Sequence, residues 1–498
     1  MFDTDVVMEK VVRNAAIALA LLTSPAAAQL SSVGGGPVQM GPLDNNHAEI
    51  DAVHRASVAR SRALAPDTAA RAPTPVLQFP VRLRAQSKAI SGHHIANYVD
   101  LDGTAKLKDF TCGRRTYEDH NGTDFVLSPF WWHMMDGKEA EVVAAAPGRI
   151  INKNDGNFDR QCSLSGASAG NYVVIEQDDG HFAYYFHMKK GSVTALSVGS
   201  RVGAGDVLGL VGSSGTSLLP HLHFELRTAS GFINGQTVDP FAGTCGATKT
   251  RWRHQPEKSD TEIIRIATHK VVPPSAHLNF CSNPDPGYSD RFTTGARVWV
   301  AAYVRDQTPT TPLDFKVLRP DGTIFESWTS GRLSRVEPFT YWFGEIDLPA
   351  AGSQGRWKVQ VQLEGKTSEH VFMVGALPAP TTLTTSVKPL SATATPSAPA
   401  NFEVVVRNTG NTAAIGCSVA PDAPLAAVSR FQVTAGGIPR GDVNEAFDIP
   451  AGTAKKIRLT IIPKATYRAT QIKLPIRVSC SNGSEPAAAR AKLVTLSF

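Results

Sequence analysis

Residues 172–187 read YVVIEQDDGHFAYYFH, and this stretch decides the fold class. Two apolar runs of strand length, Tyr172 to Glu176 and Phe182 to Phe186, flank Asp178-Asp179-Gly180. Asp favours turns through hydrogen bonds to its own backbone and Gly accepts positive φ, so the stretch reads strand, turn, strand. Working outward, runs of similar length recur at Val142 to Ala146, Val207 to Val211 and Leu222 to Leu226. No sustained helical period intervenes between about 95 and 245. The spacing predicts an all-β unit.

Downstream, Ala296 to Val304 (ARVWVAAYV) and Arg356 to Leu363 (RWKVQVQL) carry the period-two pattern of half-buried strands. Arg319-Pro320-Asp321-Gly322 is a turn signal between them. Pro378, Pro380, Pro389, Pro396 and Pro399 then mark a Pro-rich junction, residues 377–400, expected to be extended and exposed. Strand-like runs resume at Phe402 to Val406, Ile457 to Ile462 and Ala491 to Phe498. The expected order is an all-β unit over 79–262 (core 95–245), then two Ig-like β-sandwiches over 263–376 and 401–498. At ~150 residues per domain, 498 residues accommodate this count.

The N-terminal 28 residues read as a secretory signal peptide. Lys10 and Arg13 precede the apolar run Ala15 to Leu22, and Ala26-Ala27-Ala28 offers a small-residue cleavage site. Residues 29–78 are rich in Ala, Ser, Arg and Pro, with little periodicity, and read as a linker or propeptide. Six cysteines without a CxxC pair fit disulfides in an oxidising compartment, with Cys417–Cys480 as one pair and three connectivities open for Cys112, Cys162, Cys245 and Cys281. A net charge of +6 without a basic stripe argues against a nucleic-acid partner. No stretch of the mature chain approaches the ~20 apolar residues of a membrane span. A secreted, periplasmic or cell-envelope location follows.

Six of the 14 histidines fall between His120 and His223. His120 and Asp124 are four apart, an even spacing that puts both on one face of a strand. His221-Leu222-His223 places two imidazoles on one strand face, with Leu222 toward the core. His187 ends the apolar strand Phe182 to Phe186. Two histidines and a carboxylate make an open zinc site. A rival pair, His133 and Asp136, is spaced by three and falls on opposite strand faces.

With these residues in place, the sequence resembles the lysostaphin-type, or LytM-type, zinc metallopeptidases. The matching stretches are His120-Asn121-Gly122-Thr123-Asp124, Val142 to Ile150, Gly170 to Ile175, Tyr185-Phe186-His187-Met188, Val198 to Val202, Gly209 to Gly215 and Pro220 to Glu225. They span about a quarter of the chain. The resemblance implies an antiparallel-sheet metallopeptidase domain with a groove, one Zn²⁺ held by His120, Asp124 and His223, His221 as general base, and His187 supporting the transition state. It implies peptidoglycan stem or cross-bridge peptide as substrate. Two insertions depart from the pattern. Phe125 to Glu141, with Trp131 and Trp132, is expected either to wall the groove or to pack inside, and Asp155 to Ala169 to form the opposite rim.

Overall fold

The computed structural model describes residues 33–37, 42–44, 47–64 and 73–497, except 85–86, 88, 166–168, 229–236, 254, 259–260, 275–280, 284, 376–380, 396–397, 422–426, 441–446, 464–470 and 481–491. The signal-peptide reading, residues 1–28, lies outside the described residues. Among those described, no helix is long and apolar enough to cross a membrane.

In chain order the first elements are β1 (Val33–Pro37), α1 (His47–Leu64), β2 (Val81–Leu83), β3 (His93–Asn97) and β4 (Thr123–Leu127). There follow α2 (Trp131–Asp136), β5 (Ala140–Val143), β6 (Gly148–Asn154), β7 (Tyr172–Gln177), β8 (Phe182–Phe186), β9 (Arg201–Val202), β10 (Val207–Leu210) and β11 (His221–Arg227). The turn at Asp178-Asp179-Gly180 closes the hairpin β7–β8, with Gly180 at a φ of 85°. That hairpin sits inside a seven-stranded sheet of order β3-β4-β11-β8-β7-β6-β9, antiparallel at every step. A smaller sheet, β10-β5-β2, lies beside it. The all-β expectation holds.

Both faces of the large sheet are covered. Tyr185, Ala183, Val173, Leu222 and Phe224 join the main core. Their neighbours Tyr184, Phe182, Phe186 and Val174 point the other way, onto Ile50, Val53 and Val58 of α1. This explains why FAYYF is apolar throughout rather than alternating: a strand covered on both sides has no wet face. Helix α1 corrects the reading of 29–78 as unpatterned. Its inward stripe is Ile50, Val53, His54, Ser57, Val58 and Ser61, all buried, so half the face is polar and the hydrophobic period is diluted.

The insertion Phe125 to Glu141 packs inside. Trp131, Trp132, Met134 and Met135 of α2 are buried in the core and wall no groove. Asp136 pairs at the surface with Arg160 at 2.5 Å, and His133 lies against the Tyr288 ring.

β12 (Glu262–His269), β13 (Arg291–Phe292), β14 (Arg297–Gln307), β15 (Asp314–Leu318), β16 (Ile324–Thr329), β17 (Glu337–Asp347), β18 (Gly355–Leu363) and β19 (Lys366–Val374) form two sheets, β1-β17-β14-β12 and β13-β19-β18-β15-β16. They share a core built on Val300, Phe315, Trp357 and Phe372. β18 alternates as expected, but β14 is buried on both faces, because Ala301 and Tyr303 pack into the main core of the first unit. Two further five-stranded sheets, built from strands between Leu383 and Ser497, enclose a third core around Phe402, Leu459 and Ile461. Residues Leu383–Lys388, read as part of an exposed junction, are a strand paired with Ala400–Asn408. Prolines flank that strand, but its interior LTTSV is Thr-rich and β-branched, which favours a pleat. The disulfides are Cys112–Cys245, Cys162–Cys281 and Cys417–Cys480.

Candidate metal centre

The site is built where β4, β11 and the end of β8 meet. Asp124 on β4 faces His223 on β11 as a cross-strand pair, and His223 also faces Phe186 on β8. One register therefore fixes two side chains. His120 is not on the strand, as the even spacing suggested. It sits in the turn before β4, where its N–H donates to the Tyr117 carbonyl, and that turn brings it beside Asp124. Gly122 makes the approach possible, since a Cβ there would lie 2.5 Å from the His223 ring.

The donor atoms form a compact set. His120 Nε2 lies 3.2 Å from Asp124 Oδ1 and 3.4 Å from His223 Nδ1, which lies 3.1 Å from Asp124 Oδ1. Ligands ~2.0–2.2 Å from a tetrahedral ion lie ~3.3–3.5 Å apart, so these three atoms mark three corners of such a site. The outer contacts orient them. His120 Nδ1–H donates to the Tyr98 carbonyl at 2.6 Å, which frees Nε2 as a lone-pair donor. Asn97 Nδ2 donates to Asp124 Oδ2 at 3.0 Å. His223 Nε2 faces Glu225 Oε2 at 3.5 Å, and Glu225 is held in turn by Arg227.

The fourth corner is taken by a residue that sequence reasoning did not single out. Asp44 Oδ2 lies 3.0 Å from His223 Nδ1 and 3.4 Å from both His187 Nε2 and His221 Nε2. All these groups are buried. Each of the two flanking imidazoles has its Nδ1 tied to a carbonyl, His187 to Ser214 at 2.6 Å and His221 to Leu219 at 2.8 Å. Both therefore turn Nε2 to one point, now filled by a carboxylate oxygen. The only signal for Asp44 was that it is the sole carboxylate between Gln29 and Glu49.

Charge makes the set fit a divalent cation. Two buried carboxylates need compensation. Burial opposes charge, yet His223 holds Asp44 well below the carboxylate range, and His120 does the same for Asp124. Burial opposes the imidazolium of His223 and of His120, but Asp44 and Asp124 respectively lift them above the ordinary value. A dication in their midst balances two carboxylates with both histidines neutral. His187 goes the other way, lowered by burial and by its neighbour His221.

Residues 118–240 match peptidase family M23. This stretch is similar to the family M23 peptidases. Over 123 residues the chain is 32% identical to the glycyl-glycine endopeptidase ALE-1 of Staphylococcus capitis, covering 24% of this chain and 28% of that protein. It is 28% identical over 156 residues to the peptidoglycan DD-endopeptidase ShyC of Vibrio cholerae, covering 30% and 34%. The chain thus spans about a third or less of the curated relatives it matches. A structure of the catalytic domain of lysostaphin from Staphylococcus simulans shares 25% identity over 32% of this chain and 96% of that one, with a TM-score of 0.18. The matched stretch carries every member of the buried cluster but Asp44, and the second insertion lies against it: Arg160 and Ser163 bridge to Ser213 and Ser217 beside His221. The same insertion is tied by Cys162–Cys281 to the chain that follows β12.

Proposed function

We propose that the chain is an exported zinc metalloendopeptidase that hydrolyses amide bonds in peptidoglycan stem or cross-bridge peptides. The observation that carries this reading is the convergence of three donor atoms and two Nε2 lone pairs on one buried point of the stretch similar to family M23. Zinc, held one per chain by His120, Asp124 and His223, would supply Lewis acidity, lowering the pKa of water and polarising the scissile carbonyl. His221, its Nδ1–H fixed on Leu219, takes the proton of the attacking water at Nε2. His187 is neutral because burial lowers it, so it becomes a donor to the developing oxyanion only after a proton reaches its Nε2. Export rests on the N-terminal apolar segment and on three disulfides that an oxidising compartment favours. The sheet pairs over 263–376 and 401–498 we assign to spacing or to wall binding, since they hold no comparable cluster among their described residues. Digestion of purified cell wall followed by mass spectrometry of the fragments tests the whole reading. New amino termini within stem or bridge peptides are expected, and chelation should abolish them. Cleavage that persists without metal would refute it.

A further inference from the structure

We infer that Ser217 and Ser213 are positioning residues for the base His221, their hydroxyls forming a relay that anchors its imidazole to the second insertion. The inference rests on the peptidase reading above, in which His221 takes a proton at Nε2. That task asks two things of the ring. Nδ1 must hold a proton, so that Nε2 keeps its lone pair, and the ring plane must be fixed, so that the lone pair stays aimed. The Leu219 carbonyl, 2.8 Å from Nδ1, secures the first. One acceptor alone lets the ring swing about that contact. Ser217 supplies a second point, with its Oγ 3.4 Å from the same Nδ1.

The hydroxyls line up because each has one proton to give. Ser213 donates to the Gln161 carbonyl at 2.7 Å, which leaves its lone pairs for Ser217, 2.8 Å away. Ser217 donates there, the shorter of its two outlets, the other being the Leu219 carbonyl at 3.1 Å. A lone pair of Ser217 then faces the Nδ1–H of His221. The relay runs from the imidazole to Ser217, to Ser213, to the Gln161 carbonyl. Both serines and His221 are fully buried, so water does not readily replace a lost link.

The far end is held firmly. The Gln161 N–H donates back to the Ser213 carbonyl at 2.9 Å, and the Ser163 N–H to the Ser217 carbonyl at 3.1 Å. Between these two residues stands Cys162, fastened to Cys281. Ser214 shows what a purely structural serine does in this loop. Its hydroxyl accepts from the Asn171 N–H and donates to the Met188 carbonyl, both backbone groups. Ser213 and Ser217 instead join the backbone of the insertion to an imidazole.

Two readouts on the zinc-loaded full-length protein test this. In protein labelled with ¹⁵N-histidine, the Nδ1–H of His221, assigned by its disappearance in His221→Ala, should exchange slowly with solvent, and about tenfold faster in Ser217→Ala. On soluble cross-linked peptides released from purified cell wall, Ser217→Ala should keep its zinc and its KM and lose about tenfold in kcat. The Ser213→Ala/Ser217→Ala double variant should lose no more than Ser217→Ala, and in a His221→Ala background Ser217→Ala should have no further effect. Ser213→Ala, which leaves both contacts to the imidazole in place, should change both readouts in the same direction by less, and it carries the test if Ser217→Ala does not fold. An Nδ1–H exchange rate that neither serine variant moves overturns the relay. So does a kcat loss that persists in the His221→Ala background, or a loss that comes as raised KM or missing zinc. A wild-type chain whose Nδ1–H behaves as expected but which cleaves none of these peptides leaves the relay standing and overturns the substrate reading instead.

Discussion

Asn97 offers a direct measure of how far the metal centre depends on what surrounds it. Its amide donates to Asp124 Oδ2 at 3.0 Å, and both side chains are buried. Replacing it by Ala leaves that oxygen without this donor in a place water does not readily reach. A hydrogen bond to a charged group contributes about 1.5–3 kcal/mol. Outer contacts of metal ligands contribute about 10–100-fold in affinity, or about 1.4–2.7 kcal/mol. The two routes agree, so Asn97→Ala should weaken zinc binding by about 10–100-fold. Competition against a chromogenic chelator at neutral pH reads this directly. If Asn97 acts through Asp124, the loss should vanish in an Asp124→Ala background. Wild-type affinity within about threefold, or an undiminished loss in that background, would refute the reasoning.

Other outcomes follow from the same geometry. His221→Ala should keep metal content and lose about 10²–10⁴-fold in wall hydrolysis, whereas His223→Ala should lose the metal; elemental analysis beside a turbidity assay separates them, and the reverse pattern would exchange their roles. In metal-free protein, Asp124 is depressed, so its stabilisation is present above ~4 and lost as pH falls through the folded value. His223 is raised, so its stabilisation is full below ~6.5 and lost as pH rises through the folded value. Thermal melts of the chelated protein should therefore weaken from about pH 6.5 upward, and zinc should cancel that decline; a flat profile without metal contradicts the charge account. Tyr185→Phe should destabilise the first β unit by about 1–3 kcal/mol, because the phenol oxygen accepts the buried Ala145 N–H at 2.8 Å. Denaturant titration followed by hydrogen exchange in β8 checks this, and an unchanged midpoint would mean that the N–H finds another partner.

Much of the site was legible because its chemistry sits in short local patterns. His221-Leu222-His223 needed only the two-residue period of a strand, and Leu222 indeed lies in the core. The His120–Asp124 pairing came out for a different reason from the one the period gave, a turn rather than a shared strand face. Asp44 could not be read, because its role depends on a chain crossing 177 residues away from His221 in sequence. Helix α1 was hidden by His54, Ser57 and Ser61 on its buried side, and those polar groups are there because they reach partners on the sheet, Ser61 the Glu176 carboxylate and His54 the Tyr184 hydroxyl. One clue was present: a run as apolar as FAYYF implies a cover on each side. The wet-face expectation failed at β14, since a strand's exposure is set by what packs on it and not by its own sequence alone.

The pairing of β1 with β17 reaches beyond the metal. β17 runs eleven residues, and across Thr340-Tyr341-Trp342-Phe343-Gly344 its outer row of backbone donors and acceptors is taken up by five residues of the N-terminal segment. Withdraw that segment and an inner strand becomes a bare, aromatic sheet margin, the kind of surface that recruits a strand from another chain. Release of that segment would thus leave a margin primed to pair with a second copy or with an extended partner.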